Sequence, residues 1–152
     1  MVFFATMGHM QQIHVTSDSH TLNVEPGEDI MSQLQAYAER EGLQAAHISG
    51  LGAASEVELA YYNLDTKEYE HTTITENLEI CSLTGNIGVN EGGQKVVHLH
   101  GVFAHRDLST IGGHVVRCLV SGAGEIHLAT PPGAINRAHD ERTGLTLMCP
   151  LH

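Results

Sequence analysis

Short runs of alternating apolar and polar residues, separated by Gly, Pro, Asn and Asp, make up most of this chain. Alternation with a period of two is typical of a strand with one buried face, and the separating residues are typical of turns. Two such runs flank the turn-like segment 63–67, so residues 57–75 are predicted to form a β-hairpin. Strands are predicted over residues 12–16, 20–24, 45–63, 78–87, 96–103, 110–120, 122–129 and 143–149.

One segment has the period of a helix instead. Ile30, Leu34, Tyr37 and Ala38 form an apolar stripe at helical spacing. Acidic residues at positions 28 and 29 suit the positive end of a helix dipole, and Gly42 is a natural stop. One helix among many short strands predicts an α+β fold, in which a mostly antiparallel sheet packs against a single main helix.

Gly50 and Gly52 interrupt the strand pattern of residues 45–63. Glycine inside a strand marks either a β-bulge or a place where the backbone approaches a ligand closely. The sequence therefore leaves two interpretations, a bulge and a glycine-lined pocket wall.

Glu79 lies in the strand predicted over residues 78–87. Strict alternation places its side chain on the same face as Cys81 and Leu83. Because a carboxylate on an apolar face is costly, Glu79 is expected either at a sheet edge or near a functional site. In the second case it would orient an imidazole or act as a base, which makes it a candidate catalytic residue.

Three histidines carry the most specific chemistry in the sequence. His98 and His100 are two residues apart in a strand, so their side chains share one face while Leu99 takes the other. If the following turn centres on Asp107, His114 on the returning strand lies directly opposite His100. Directly opposed residues have Cβ atoms roughly 4.5 to 5.5 Å apart, so the three rings could bind one ion. A register shifted by one residue would move His114 to the other face and break this arrangement. The alternative interpretation is that these are ordinary half-buried strand histidines that bind no ligand.

Charge and cysteine content narrow the possible functions. The 18 acidic and 7 basic residues give a net charge of −11, and the basic residues are scattered singly, which disfavours direct binding to DNA. The three cysteines have no CxxC spacing, so no disulfide framework is expected, and those in apolar runs, Cys81 and Cys118, are expected to be buried. No signal peptide or membrane-spanning run is recognisable, so a cytoplasmic location is expected.

The motifs HLHG at 98–101 and GGH at 112–114 resemble the bacterial pattern of the plants-and-prokaryotes-conserved (PPC) domain family. The resemblance extends through VEPGEDIMSQL, ISGLGAASEVEL and LEICSLTGNIG, which start at residues 24, 48 and 78. It implies an α+β fold that assembles as a homotrimer, and the domain is expected over residues 12–152. The tripeptide Gly8-His9-Met10 indicates that residues 1–11 are an N-terminal extension or tag remnant.

Three functions follow from the resemblance and the histidines together. In the first, a trimer binds zinc or a similar divalent ion through His98, His100 and His114. Its fourth position is open to water or a small-molecule ligand, which is the usual arrangement of catalytic zinc, and no reaction is assigned. In the second, the protein binds DNA, since plant members of the family carry AT-hook segments, although none is present here. In the third, the chain is purely a structural oligomerisation module with no metal at the histidines.

Overall fold

The computed structural model describes residues 10–150, so the predicted extension at residues 1–11 lies mostly outside the described part. One helix, α1 (Ile30–Arg40), accompanies nine strands within the described residues. The strands are β1 (Gln11–Val15), β2 (Ser19–Val24), β3 (Ala46–Asn63), β4 (Glu68–Ile74), β5 (Leu78–Asn90), β6 (Lys95–Ala104), β7 (Thr110–Ala129), β8 (Asn136–Asp140) and β9 (Leu145–Met148). The predicted α+β fold is confirmed.

All nine strands belong to one sheet in the order β1-β2-β7-β3-β5-β8-β9, and β4 pairs with β3. Strand β6 pairs with both β5 and β7, which in turn both pair with β3. These four strands therefore form a closed ring. Every pairing is antiparallel except the short contact between β5 and β8.

The helix begins and ends where the sequence predicts. The Asp29 side chain accepts a hydrogen bond from the backbone N–H of Ser32 (3.0 Å), a typical N-cap, and another from the backbone N–H of Cys118 in β7 (2.8 Å). Gly42 has a φ of +64°, a left-handed conformation that suits glycine and ends the helix. The predicted stripe is buried in one core with sheet residues that include Leu22, Ile126 and Leu128.

Strand β7 is longer than predicted, whereas β3 matches the strand predicted over residues 45–63. Residues 110–129 form a single strand, β7, where two were predicted, because β3 pairs with it along most of its length. The register between β3 and β5 shifts between Gly50 and Gly52, which confirms the bulge interpretation at these glycines. A bulge bends a strand without ending it, so the chain continues through both long strands.

A second bulge changes the face on which β5 residues lie. The register between β5 and β6 shifts between Ile80 and Ser82. Glu79 before the shift is exposed, whereas Leu83 after it is buried, so the predicted apolar surroundings of Glu79 were wrong. The same shift leaves Cys81 exposed, contrary to the prediction, while Cys118 is buried as predicted.

The segment 134–142, which shows no periodicity, contains β8. It pairs in parallel with the end of β5 and antiparallel with β9, the predicted final strand. Over residues 10–150 we find no helix that is both long enough and apolar enough to cross a membrane.

Candidate metal centre

The predicted register of the histidine hairpin is confirmed. His100 of β6 pairs directly with His114 of β7, and the backbone N–H of His105 donates to the Ser109 carbonyl (2.9 Å) to close the turn around Asp107. Leu99 is fully buried between His98 and His100, as strand alternation requires. The three imidazoles therefore lie on one face.

The three rings lie close enough to share one ion. Their centroids are 5.1 Å (His98 and His100), 5.2 Å (His98 and His114) and 5.4 Å (His100 and His114) apart. One nitrogen from each ring lies within 4.8 Å of the other two. Tetrahedral zinc with 2.0–2.1 Å bonds separates its ligand nitrogens by roughly 3.3 Å. Binding of zinc would therefore draw the nitrogens together by up to about 1.5 Å.

The surroundings favour the neutral form of two of the imidazoles. Burial lowers the pKa of His98 to about 4, with further contributions from the positive charges of Arg137, His114 and His100. Burial also lowers the pKa of His114, helped by His100 and His71. A metal ion needs the lone pair of a neutral imidazole, so these shifts favour the form that binds.

One nitrogen of the cluster has no partner in the described residues. Nδ1 of His114 is buried and makes no hydrogen bond. A buried polar atom left unsatisfied costs about 1–3 kcal/mol, and a metal ion bound there would remove that cost. Neutral imidazoles, close spacing and an unpartnered nitrogen together fit a divalent metal ion.

The histidines open into a cavity of about 770 Å³. Its aromatic side includes Tyr69, whose ring centroid is 5.1 Å from that of His114, and Tyr62, whose ring packs on Tyr69 at 4.8 Å. Val97, Leu145 and Leu147 supply apolar side chains. The cavity is of the size that small-molecule sites have.

Arg137 also lines this cavity, and sequence analysis missed it. It lies in β8, is 5% exposed, and reaches the other strands through its guanidinium. Its Nη1 donates to the Thr146 carbonyl (2.9 Å), and its Nη2 donates to Asn86 Oδ1 (2.6 Å) and to Nδ1 of His98 (3.3 Å). No periodicity marks residues 134–142, so the sequence carries no signal that this arginine is buried beside His98.

The other residues considered from sequence lie elsewhere. Glu79 is paired between Ala53 of β3 and Ala104 of β6, so it is at no sheet edge, and it does not line the histidine cavity. His105 bonds to Glu76, and both line a separate cavity together with Glu79.

The fold and the histidine site together define the class of protein. It is a small α+β protein with three histidines clustered on neighbouring antiparallel strands. Residues 12–131 match the Plants and Prokaryotes Conserved (PCC) domain, and the chain belongs to that family.

Solved structures with the same fold include relatives of recognisable sequence similarity. A candidate DNA-binding protein of Bacteroides thetaiotaomicron is 27% identical, with a TM-score of 0.88 over 93% of this chain and 98% of that one. A metal-containing protein of Archaeoglobus fulgidus is 30% identical, with a TM-score of 0.80 over 95% of this chain and 100% of that one.

Among curated proteins, the bifunctional protein GlmU of Synechococcus sp. (strain JA-2-3B'a(2-13)) is 32% identical over 127 residues, which are 82% of this chain and 19% of that protein. The chain thus spans about a fifth of the length of this relative.

Proposed function

We propose that His98, His100 and His114 bind one divalent metal ion per chain, with zinc the best match to three imidazole ligands. The observation that carries the proposal is the convergence of the three rings, with one nitrogen from each within 4.8 Å of the others. Three protein ligands leave a fourth position for water or a small molecule. A zinc ion bound this way supplies Lewis-acid chemistry and lowers the pKa of its water.

The similarity to a metal-containing protein of Archaeoglobus fulgidus supports this proposal. Elemental analysis of protein purified without an affinity tag, followed by zinc titration, tests it. One ion per chain is expected. A purely structural oligomerisation module would instead contain no ion and take up none at the histidines.

We also propose that the chain forms a homotrimer, the assembly implied by the PPC resemblance. Large apolar side chains are exposed on one copy, among them Ile13, Leu51, Tyr61, Val102 and Leu108. Exposed strand edges and apolar side chains are commonly covered by assembly. We expect light scattering coupled to gel filtration to give about 49 kDa, three times the chain mass of 16.4 kDa. A clean monomer at micromolar concentration would contradict the trimer.

A cytoplasmic location is proposed from the cysteines. All three are free, and Cys81 is exposed, as expected in a reducing compartment. Fractionation of cells that produce the untagged protein tests this location.

DNA binding is the competing function, because a structural relative is a candidate DNA-binding protein. The basic residues here are poorly placed for it. Arg40, Arg117 and Arg142 pair with carboxylates, Lys67 donates to the Glu141 carbonyl (2.8 Å), and Arg137 is buried. Within the part of the chain that the structure describes, Lys95 and Arg106 are the only two of the seven basic residues that are neither buried nor bonded in this way. The net charge of the chain is −11.

We therefore expect no tight binding to generic duplex DNA at physiological salt, since a phosphate-binding surface needs clustered basic residues. A mobility-shift titration at several salt concentrations measures this. Submicromolar binding that weakens steeply with salt would show that a local basic surface overcomes the net charge.

A further inference from the structure

The histidine cavity differs in charge from the rest of this acidic chain. Among the described residues, its lining includes the basic side chains of Arg137 and Lys67 and no aspartate or glutamate. A divalent ion bound by the three histidines would add two more positive charges. A cavity with this balance attracts anions, even though the chain as a whole carries −11.

Arg137 is the unusual member of this lining. A buried guanidinium is normally paired with a carboxylate, because leaving its charge unpaired is expensive. Arg137 is 5% exposed, yet its acceptors are the neutral Thr146 carbonyl, the Asn86 amide oxygen and Nδ1 of His98. Its Nε is buried with no hydrogen-bond partner in the described chain. Within residues 10–150, Arg137 is thus a buried cation that makes no hydrogen bond to a carboxylate.

We propose that the cavity binds a small organic acid, whose carboxylate pairs with Arg137 and whose second oxygen takes the open position at the metal ion. This inference deepens the proposed function and rests on it for the metal contact. A planar guanidinium suits a carboxylate, and a metal held by three histidines takes an oxygen ligand readily. The apolar side chains of Val97, Leu145 and Leu147 suit a short hydrocarbon body. A 2-oxo acid with a branched chain combines these three features.

The contact between Arg137 and His98 also couples the two binding events. Because a guanidinium only donates, Nδ1 of His98 gives its lone pair to Arg137. The positive charge of Arg137 also repels a cation bound next to it. A carboxylate that pairs with Arg137 weakens both effects. Anion binding therefore strengthens metal binding, and by thermodynamic linkage the metal strengthens anion binding by the same factor.

The alternative is that Arg137 only joins strands. Its bonds to Asn86 of β5, Thr146 of β9 and His98 of β6 hold β8 against its neighbours, and this would account for its burial without any ligand. A purely structural arginine predicts no anion binding that depends on its charge. The two interpretations therefore differ in a direct measurement.

The test is calorimetric titration of 2-oxoisovalerate into the intact protein, both metal-free and zinc-loaded, with its uncharged methyl ester titrated in parallel. We expect the acid to bind and the ester not to bind. We also expect zinc to tighten acid binding by about fivefold or more, the lower end of ordinary coupling between sites. Arg137→Gln should weaken acid binding by about tenfold or more, because it removes a charged hydrogen-bond partner.

Two variants serve as controls. Arg142→Gln removes an exposed arginine from the β8–β9 turn, outside the cavity, and should leave acid binding unchanged. Arg137→Lys retains the charge and should keep part of the affinity that Arg137→Gln loses. If Arg137→Gln does not fold, Arg137→Lys and the comparison of acid with ester decide the question.

Equal acid binding by wild type and Arg137→Gln, or equal binding of acid and ester, would overturn the inference. Inorganic phosphate that binds as tightly as the acid would overturn the assignment to an organic acid. The two proposals can fail separately. Zinc uptake tests the metal proposal, whereas the effect of Arg137→Gln on acid binding can be measured even in a protein that takes up no zinc.

Discussion

Replacing His100 with alanine is expected to abolish binding of the divalent ion, with affinity falling by more than about 100-fold. Even residues that only orient metal ligands contribute 10- to 100-fold, and His100 is a proposed ligand itself. It is also the central member of the set, opposite His114 in the strand pair and two residues from His98. Because His100 is exposed, we expect the variant to fold normally. Elemental analysis and calorimetric zinc titration measure the loss.

His105→Ala is the matched control for this substitution. His105 follows the same strand, bonds to Glu76 and lines a different cavity, so its removal should leave one ion per chain. Equal metal uptake by wild type and His100→Ala would refute the proposed centre. Loss of metal in both variants, with the fold intact by circular dichroism, would mean that His105 also contributes to metal binding, contrary to the proposed set of three ligands.

Gly52→Ala is expected to cause a large loss of stability, about 3–5 kcal/mol in the free energy of unfolding. Gly52 has a φ of +150°, which other residues rarely adopt. An added Cβ would lie 2.0 Å from the carbonyl oxygen of Ala123, which belongs to the backbone of β7 and cannot rotate away. The substitution must therefore separate β3 from β7 or force the bulge to change register. Urea denaturation followed by circular dichroism, at one fixed protein concentration, measures the effect.

Gly122→Ala provides the comparison on the opposing strand. A Cβ there would meet only the Ala53 side chain, at an ordinary contact distance of 3.5 Å. We expect a change below about 1 kcal/mol. Similar losses in the two variants would mean that the close approach at Gly52 is relieved by small adjustments, contrary to our reading of the bulge.

The parts of the site that sequence predicted correctly depend on short-range geometry. Strand alternation alone places His98 and His100 on one face. A short turn centred on Asp107 then aligns His114 with His100, because the length of a hairpin loop determines the register of its strands. The helix was predicted for the same kind of reason, since Asp29 and Gly42 act on the backbone immediately beside them.

The errors arose where strands pair over long distances. Alternation predicts faces only while the ladder stays regular, and the bulge after Ile80 reverses the phase of β5, which exposes Glu79 and Cys81. Nothing in the local sequence marks that bulge. Its position is set by the simultaneous pairing of β5 with β3 and β6, whose own registers also shift.

By itself, the sequence determined the α+β fold, the helix and the alignment of three histidines, because each depends on residues that are neighbours along the chain or across one short turn. Only the tertiary structure decided what surrounds those histidines. Arg137 is 39 residues from His98, and Leu147 follows ten positions after Arg137, so their meeting in one cavity required β8 and β9 to pack beside β5. Contacts of this kind depend on how the whole sheet closes. The nine residues 134–142 around Arg137 show no periodicity, so their sequence alone does not indicate where in the fold they pack.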